Sequence, residues 1–108
     1  MIDHSQIEVK RHTLGWVKTL IISHSGFEAT LGELRVLNQL QYGKTTDEIA
    51  EILKVHPGTV RTQIDEVKAR NQKGTQKPST TEVVVQAYSR GLLFPIVIEH
   101  LEQQVSQI

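Results

Sequence analysis

The 108-residue sequence predicts an all-α domain. Three observations carry that prediction. Thr30 with Glu33, Thr45 with Glu48, and Ser79 with Glu82 each place a hydroxyl at N-cap spacing from a glutamate. At that spacing, the hydroxyl and the carboxylate each satisfy the other residue's backbone amide, which is the capping box that opens a helix. Apolar residues after each box recur at helical spacing. Pro57 and Pro95 stand at the heads of two further apolar runs, where the missing N–H of a first-turn proline is not needed.

Taken in order, residues 1–28 read as an N-terminal extension. "QIEVKRH" alternates and "GWVKTLIIS" is β-branched and apolar. A small hairpin about "HTLG" and a helix through Leu14, Val17 and Ile21 both fit such a short run; Gly15 counts against the helix. Trp16 is an anchor for a core or an interface. After Thr30, a helix runs through Leu34, Val36, Leu37 and Leu40 and closes on Gly43 at C′. In the second helix Ile49, Ala50, Ile52 and Leu53 form the apolar stripe. "KVH" at 54–56 is a turn. Pro57 then takes the first position of a third helix, with His56, not a favoured cap, before it. Val60, Ile64 and Val67 share one face of this helix, which runs to about Asn71. A loop spans 71–79, a fourth helix spans 80–90, and Gly91 stops it. In the last helix Ile98, Leu101, Val105 and Ile108 recur at three-four spacing, a seam for a partner helix or for the chain's own core.

Composition narrows the function classes. Without cysteine there is neither a disulfide framework nor a thiolate metal site. The five histidines show no metal-ligand spacing, and "SHSG" at 23–26 lacks the leading glycine of a nucleophile elbow. No glycine-rich phosphate loop is present. The expectation is a protein that is not an enzyme and uses no cofactor. No apolar run reaches membrane-spanning length and the first residues do not resemble a signal peptide, so a cytoplasmic protein is expected.

Formal net charge is zero, but the charge is unevenly placed. Between 54 and 78, Lys54, Arg61, Lys68, Arg70, Lys73 and Lys77 stand against only Asp65 and Glu66. Such a stretch inside a neutral chain is an electrostatic footprint for nucleic acid, or else a solvated helix face and loop.

Two short helices across a tight turn describe a helix-turn-helix, whose second helix enters the major groove. With Val60, Ile64 and Val67 inward, Gly58, Thr62 and Asp65 point outward and Arg61 lies on a flank. Arg61 can pair with guanine and Thr62 with a thymine methyl or a base edge. Lys54, Thr59, Gln63 and Lys68 are candidate phosphate contacts.

The stretch "LRVLNQLQYGKTTDEIAEILKVHPGTVRTQI" resembles the DNA-binding domain of the LuxR family, also called the GerE type. Matching residues are Thr30, Glu33, Val36 and Leu37, then Gly43, Glu48, Ile49 and Ala50, then Leu53, Val55, Thr59, Val60 and Arg61. "TEVV" at 81–84 and "GLL" at 91–93 match the start and end of the family's fourth helix. The chain departs from the family at Arg35, where a second glutamate is usual, at His56 for a serine cap, at Gln63 for a histidine, and in a longer loop before the fourth helix.

The resemblance covers about 30–93 and implies a four-helix LuxR-type bundle over 29–93, preceded by the extension and followed by an extra C-terminal helix at 94–108. It implies base contacts at Arg61, Thr62 and Asp65 and phosphate contacts at Thr59 and Gln63. The residues before Thr30 are too few for a receiver or autoinducer-binding domain, so a stand-alone member is expected. The family pairs subunits through its fourth helix, which here implies Val83, Val84, Ala87 and Tyr88, extended by the Ile98, Leu101 and Val105 seam. The expected function is a site-specific double-stranded DNA-binding transcription regulator acting as a homodimer. The alternative is a protein-interaction module that sequesters another helix-turn-helix regulator. The neutral charge, Asp65 and Glu66 favour that alternative.

Overall fold

The computed structural model describes residues 7–14 and 17–106, and it overturns the all-α expectation. The chain is mixed, a three-stranded antiparallel sheet followed by five helices. The strands are β1 (Glu8–Leu14), β2 (Val17–His24) and β3 (Phe27–Ala29). The helices are α1 (Leu31–Leu40), α2 (Thr46–Leu53), α3 (Pro57–Arg70), α4 (Thr80–Ser89) and α5 (Pro95–Ser106).

Of the two readings for the N-terminal segment, the hairpin is the one that forms. Leu14 pairs with Val17 and Glu8 with Ser23, while Gly15 and Trp16 lie outside the described residues. The third strand has no counterpart in the sequence reading. Ser25 and Gly26, at φ 49° and 83°, make a two-residue connection with both φ values positive. That geometry matches the right-handed twist of paired strands. It turns β2 into β3, with His24 opposite Phe27 and Ile22 opposite Ala29.

The sheet belongs to the main core. Ile22, Phe27 and Ala29 pack with Leu34 and Leu37 of α1, Val67 of α3, Val83 and Ala87 of α4, and the inner face of α5. Burial of this apolar surface is the main force joining strands and helices. Two polar side chains then set the geometry. Asn71 accepts the Glu28 amide at 2.9 Å and donates to the Glu28 carbonyl at 2.8 Å, fastening the end of α3 to β3. Arg90 donates to the carbonyls of His24 and Ser25 at 3.1 and 3.2 Å and lies over the Phe27 ring, holding the β2–β3 turn against the end of α4.

All three capping boxes form, each with both reciprocal hydrogen bonds. In the second, the Thr45 amide donates to the Glu48 carboxylate at 2.9 Å. The Thr45 amide, then its hydroxyl, hold the Glu48 carboxyl below the usual glutamate range, and Lys44 adds a smaller pull. A carboxyl lowered in this way stabilises the fold above its unfolded value, and the contribution is lost as pH falls through the lowered folded value. An NMR titration should therefore show Glu48 and the Thr45 amide shifting together below the ordinary glutamate range, and Glu48→Gln should remove that step.

Gly43 and Gly91, at φ 78° and 73°, close α1 and α4 as expected. Among the described residues, no helix is long and apolar enough to cross a membrane.

Candidate nucleic-acid interface

α2 and α3 form the helix-turn-helix hairpin, joined by Lys54, Val55 and His56. It rests on a small core of its own, in which Ile49 and Ala50 of α2 and Val60 of α3 meet Val36 of α1. Leu53 and Ile64 close its edges, and Leu40 packs against both this cluster and the main core. The inward face of α3 is therefore Val60, Ile64 and Val67, at the i, i+4, i+7 spacing of one helical face.

The turn is held by its ends. Lys54 has φ 58° and ψ 47°, the left-handed conformation. Its N–H reaches the Glu51 carbonyl at 3.3 Å, and the Val55 N–H reaches the Ala50 carbonyl at 2.9 Å. This is the closure that helices more often make with glycine, as Gly43 and Gly91 do here. A left-handed non-glycine residue costs about 1–2 kcal/mol, and glycine returns about 0.5–1 kcal/mol of that as extra backbone entropy in the unfolded chain. Lys54→Gly should therefore raise unfolding stability by roughly 0.5 kcal/mol. A denaturant midpoint that stays put or falls would show that the conformation carries no strain.

His56, an unfavoured cap by type, does cap α3. Its Nδ1 accepts the Gly58 amide at 2.9 Å. A Cβ on Gly58 would lie 3.0 Å from that nitrogen, which explains why a glycine suits this position.

From this frame Thr59, Arg61, Thr62 and Asp65 project as exposed side chains, with Lys54 exposed at the turn. Lys68 is half-buried on the same flank as Arg61, seven residues along. Among the described residues, none of Lys54, Arg61 and Lys68 is in an ion pair. Asp65 lies one turn from both Arg61 and Lys68 and lowers the positive potential of that flank.

Gln63 does not belong with this group. It is half-buried, and its amide packs so closely over α1 that a Cβ on Gly32 would come within 2.6 Å of Nε2. The glycine admits the amide, so Gln63 serves the α1–α3 contact and is turned away from the outer face.

The face expected to pair subunits needs a larger correction. Val83 and Ala87 are fully buried and Ile98 and Leu101 nearly so, all within the chain's own fold. Val84 packs on the main core from its edge. The side chain of Val105 and all of Ile108 lie outside the described residues. An apolar helical stripe can be satisfied by its own chain as well as by a second one, and here the sheet and α1 take it up. Among the described side chains of the expected set, Tyr88 alone is exposed. It stacks at a tilt on Phe94, with ring centroids 6.0 Å apart, and Val85 and Ile96 are also exposed.

Two polar contacts of α1 stand outside the sequence reading. Glu33 has a fully buried carboxylate that accepts from the Thr30 amide and from Arg70 of α3. Arg35, where the LuxR pattern has an acid, pairs with Glu102 of α5 at 3.1 Å. The spacing of Thr30 and Glu33 announces the first half of the Glu33 contact. Nothing local announces the partners, which lie 37 and 67 residues away. No protein-family model, curated protein or solved structure matches the chain.

Proposed function

We propose that this chain is a cytoplasmic, site-specific double-stranded DNA-binding transcription regulator that acts as a homodimer, with α3 as the helix that enters the major groove. The observation that carries the reading is the outer face of α3, where Arg61 and Thr62 stand exposed above a helix seated by Val60, Ile64 and Val67. A major groove admits one α-helix, and an arginine there can donate two hydrogen bonds to guanine O6 and N7. Exposed Thr59 and Lys54 are assigned to the phosphates that flank such a helix. The resemblance of 30–93 to LuxR-type domains supports the same assignment. With Val83 and Ala87 in the core, we assign dimerisation to the exposed aromatic pair Tyr88 and Phe94, with exposed Val85 one turn before Tyr88 on α4.

Selection of bound sequences from a random duplex library tests the reading. An enriched repeat with half-sites about one helical turn apart, bound more weakly as salt rises, is the expected result. Failure to enrich any sequence would overturn it.

One observation favours a second reading, a module that sequesters another helix-turn-helix regulator. The outer side of α2 carries Asp47, Glu48 and Glu51 beside exposed Ile52 and Val55, a surface better suited to protein than to phosphate. Stable capture of such a regulator by a chain that enriches no duplex would favour it.

A further inference from the structure

We infer that the turn after α3 is a second DNA-contacting element, in which Lys73 and Lys77 bind the phosphodiester backbone beside the groove that α3 occupies. The inference rests on the DNA-binding reading of α3 and adds to it a site that the helix-turn-helix does not include.

The segment is short and built. Asn71 is buried, tied to β3 through Glu28 and to α3 through a 2.8 Å bond to the Val67 carbonyl. Gln72 donates to the Gly74 carbonyl at 3.1 Å, and Lys73 bridges Gln76 across the turn. Gly74 takes φ 71°, which the tight reversal requires. Pro78 is buried and fixes the far end. Between these anchors every residue from 72 to 77 is exposed. A turn pinned at both ends presents its side chains with less entropy to lose on binding than a free loop does.

Its chemistry is cationic and unspent. Among the described residues, neither Lys73 nor Lys77 is in an ion pair. The nearby acid is Glu82, whose carboxylate accepts the Ser79 amide in the capping box of α4.

Position completes the argument. The 14 residues of α3 span about 21 Å at 1.5 Å per residue, whereas the major groove is about 12 Å wide. When the first half of α3 reaches base edges through Arg61, its far end emerges over the groove wall, where the backbone phosphates lie. The turn that carries Lys73 and Lys77 begins there. Such contacts position a protein without reading sequence.

The test compares wild type, Lys73→Gln/Lys77→Gln and Lys73→Arg/Lys77→Arg on the selected duplex and on an unrelated duplex across a salt series. Thermal melting confirms that the variants fold. The glutamine variant should bind both duplexes more weakly, with the slope of log affinity against log salt reduced by about 2, close to 1 per lost phosphate contact. The arginine variant should restore the slope. Shortening the duplex arms beyond the repeat should remove the same increment from wild type and none from the glutamine variant. A glutamine variant with wild-type slope, in a protein that still selects its repeat, would overturn the turn's role and leave the α3 reading standing. Wild type that binds no duplex would overturn both.

Discussion

Replacing Glu33 with alanine should destabilise the chain by about 3 kcal/mol, the lower end of the range for breaking a buried ion pair. The carboxylate has no exposed surface, while Arg70 keeps about a quarter of its side chain in solvent (26%). Oε1 accepts the Thr30 amide at 3.0 Å and Oε2 accepts Arg70 Nη2 at 3.1 Å. Alanine would leave the first amide of the cap without its acceptor, the guanidinium without its counter-charge, and a void between α1 and α3. Partial hydration of Arg70 in the mutant softens the loss, which is why the lower end is expected. Glu33→Gln keeps the shape and one acceptor and should lose less. In denaturant unfolding, Glu33→Ala combined with Arg70→Met should be more stable than Glu33→Ala alone, because the stranded charge is gone. A loss below about 1 kcal/mol in the single mutant, the value of a surface pair, would mean that the contact does not hold α3 on α1.

Arg61→Ala should weaken binding to the selected duplex by about 1–3 kcal/mol and relax the preference at one base pair. The side chain is exposed and makes no ion pair among the described residues. No fold stability is therefore lost with it, and the melting temperature should hold. Asp65→Asn is the companion measurement. Asp65 sits one turn from Arg61 on the outer face, so removing its charge should strengthen binding to every duplex. Loss of preference at a single position in Asp65→Asn would instead make it a reader of a cytosine amino group. Equal binding by wild type and Arg61→Ala would remove Arg61 from the interface.

What was legible in the sequence was local. Each capping box lies within four residues, so side-chain chemistry alone places Thr30, Thr45 and Ser79 at helix starts. Gly43, Pro57 and Gly91 mark ends and a beginning through backbone geometry. The sheet was hidden because its pairing is non-local and its pattern is broken. Ile21 and Ile22 are both buried although neighbours in a strand point to opposite faces. β3 has only three residues. Ser25 with Gly26 is a turn signal, but without β3 there is nothing for it to join. The candidate site divides in the same way. Helical spacing placed Thr62 and Asp65 outward and Arg61 on a flank, and all three are exposed. Gln63 was misplaced because its burial depends on a glycine 31 positions back. Val83, Ala87, Ile98 and Leu101 were assigned to a partner because a buried stripe reads alike whichever chain covers it.

The separate apolar cluster beneath the helix-turn-helix has a consequence for cooperativity. α2 is anchored by Ile49 and Ala50, and neither belongs to the cluster that binds sheet, α1, α4 and α5 together. Elements with few buried anchors open locally at a lower free energy than the global transition. Amide hydrogens in the middle of α2 should therefore exchange faster than those of Leu37 or Val67, and should gain protection when the outer face of α3 is occupied. In those terms α2 is a weakly coupled foldon on a stiffer body, and α3 belongs to that body through Val67 and through the Asn71 tie to β3.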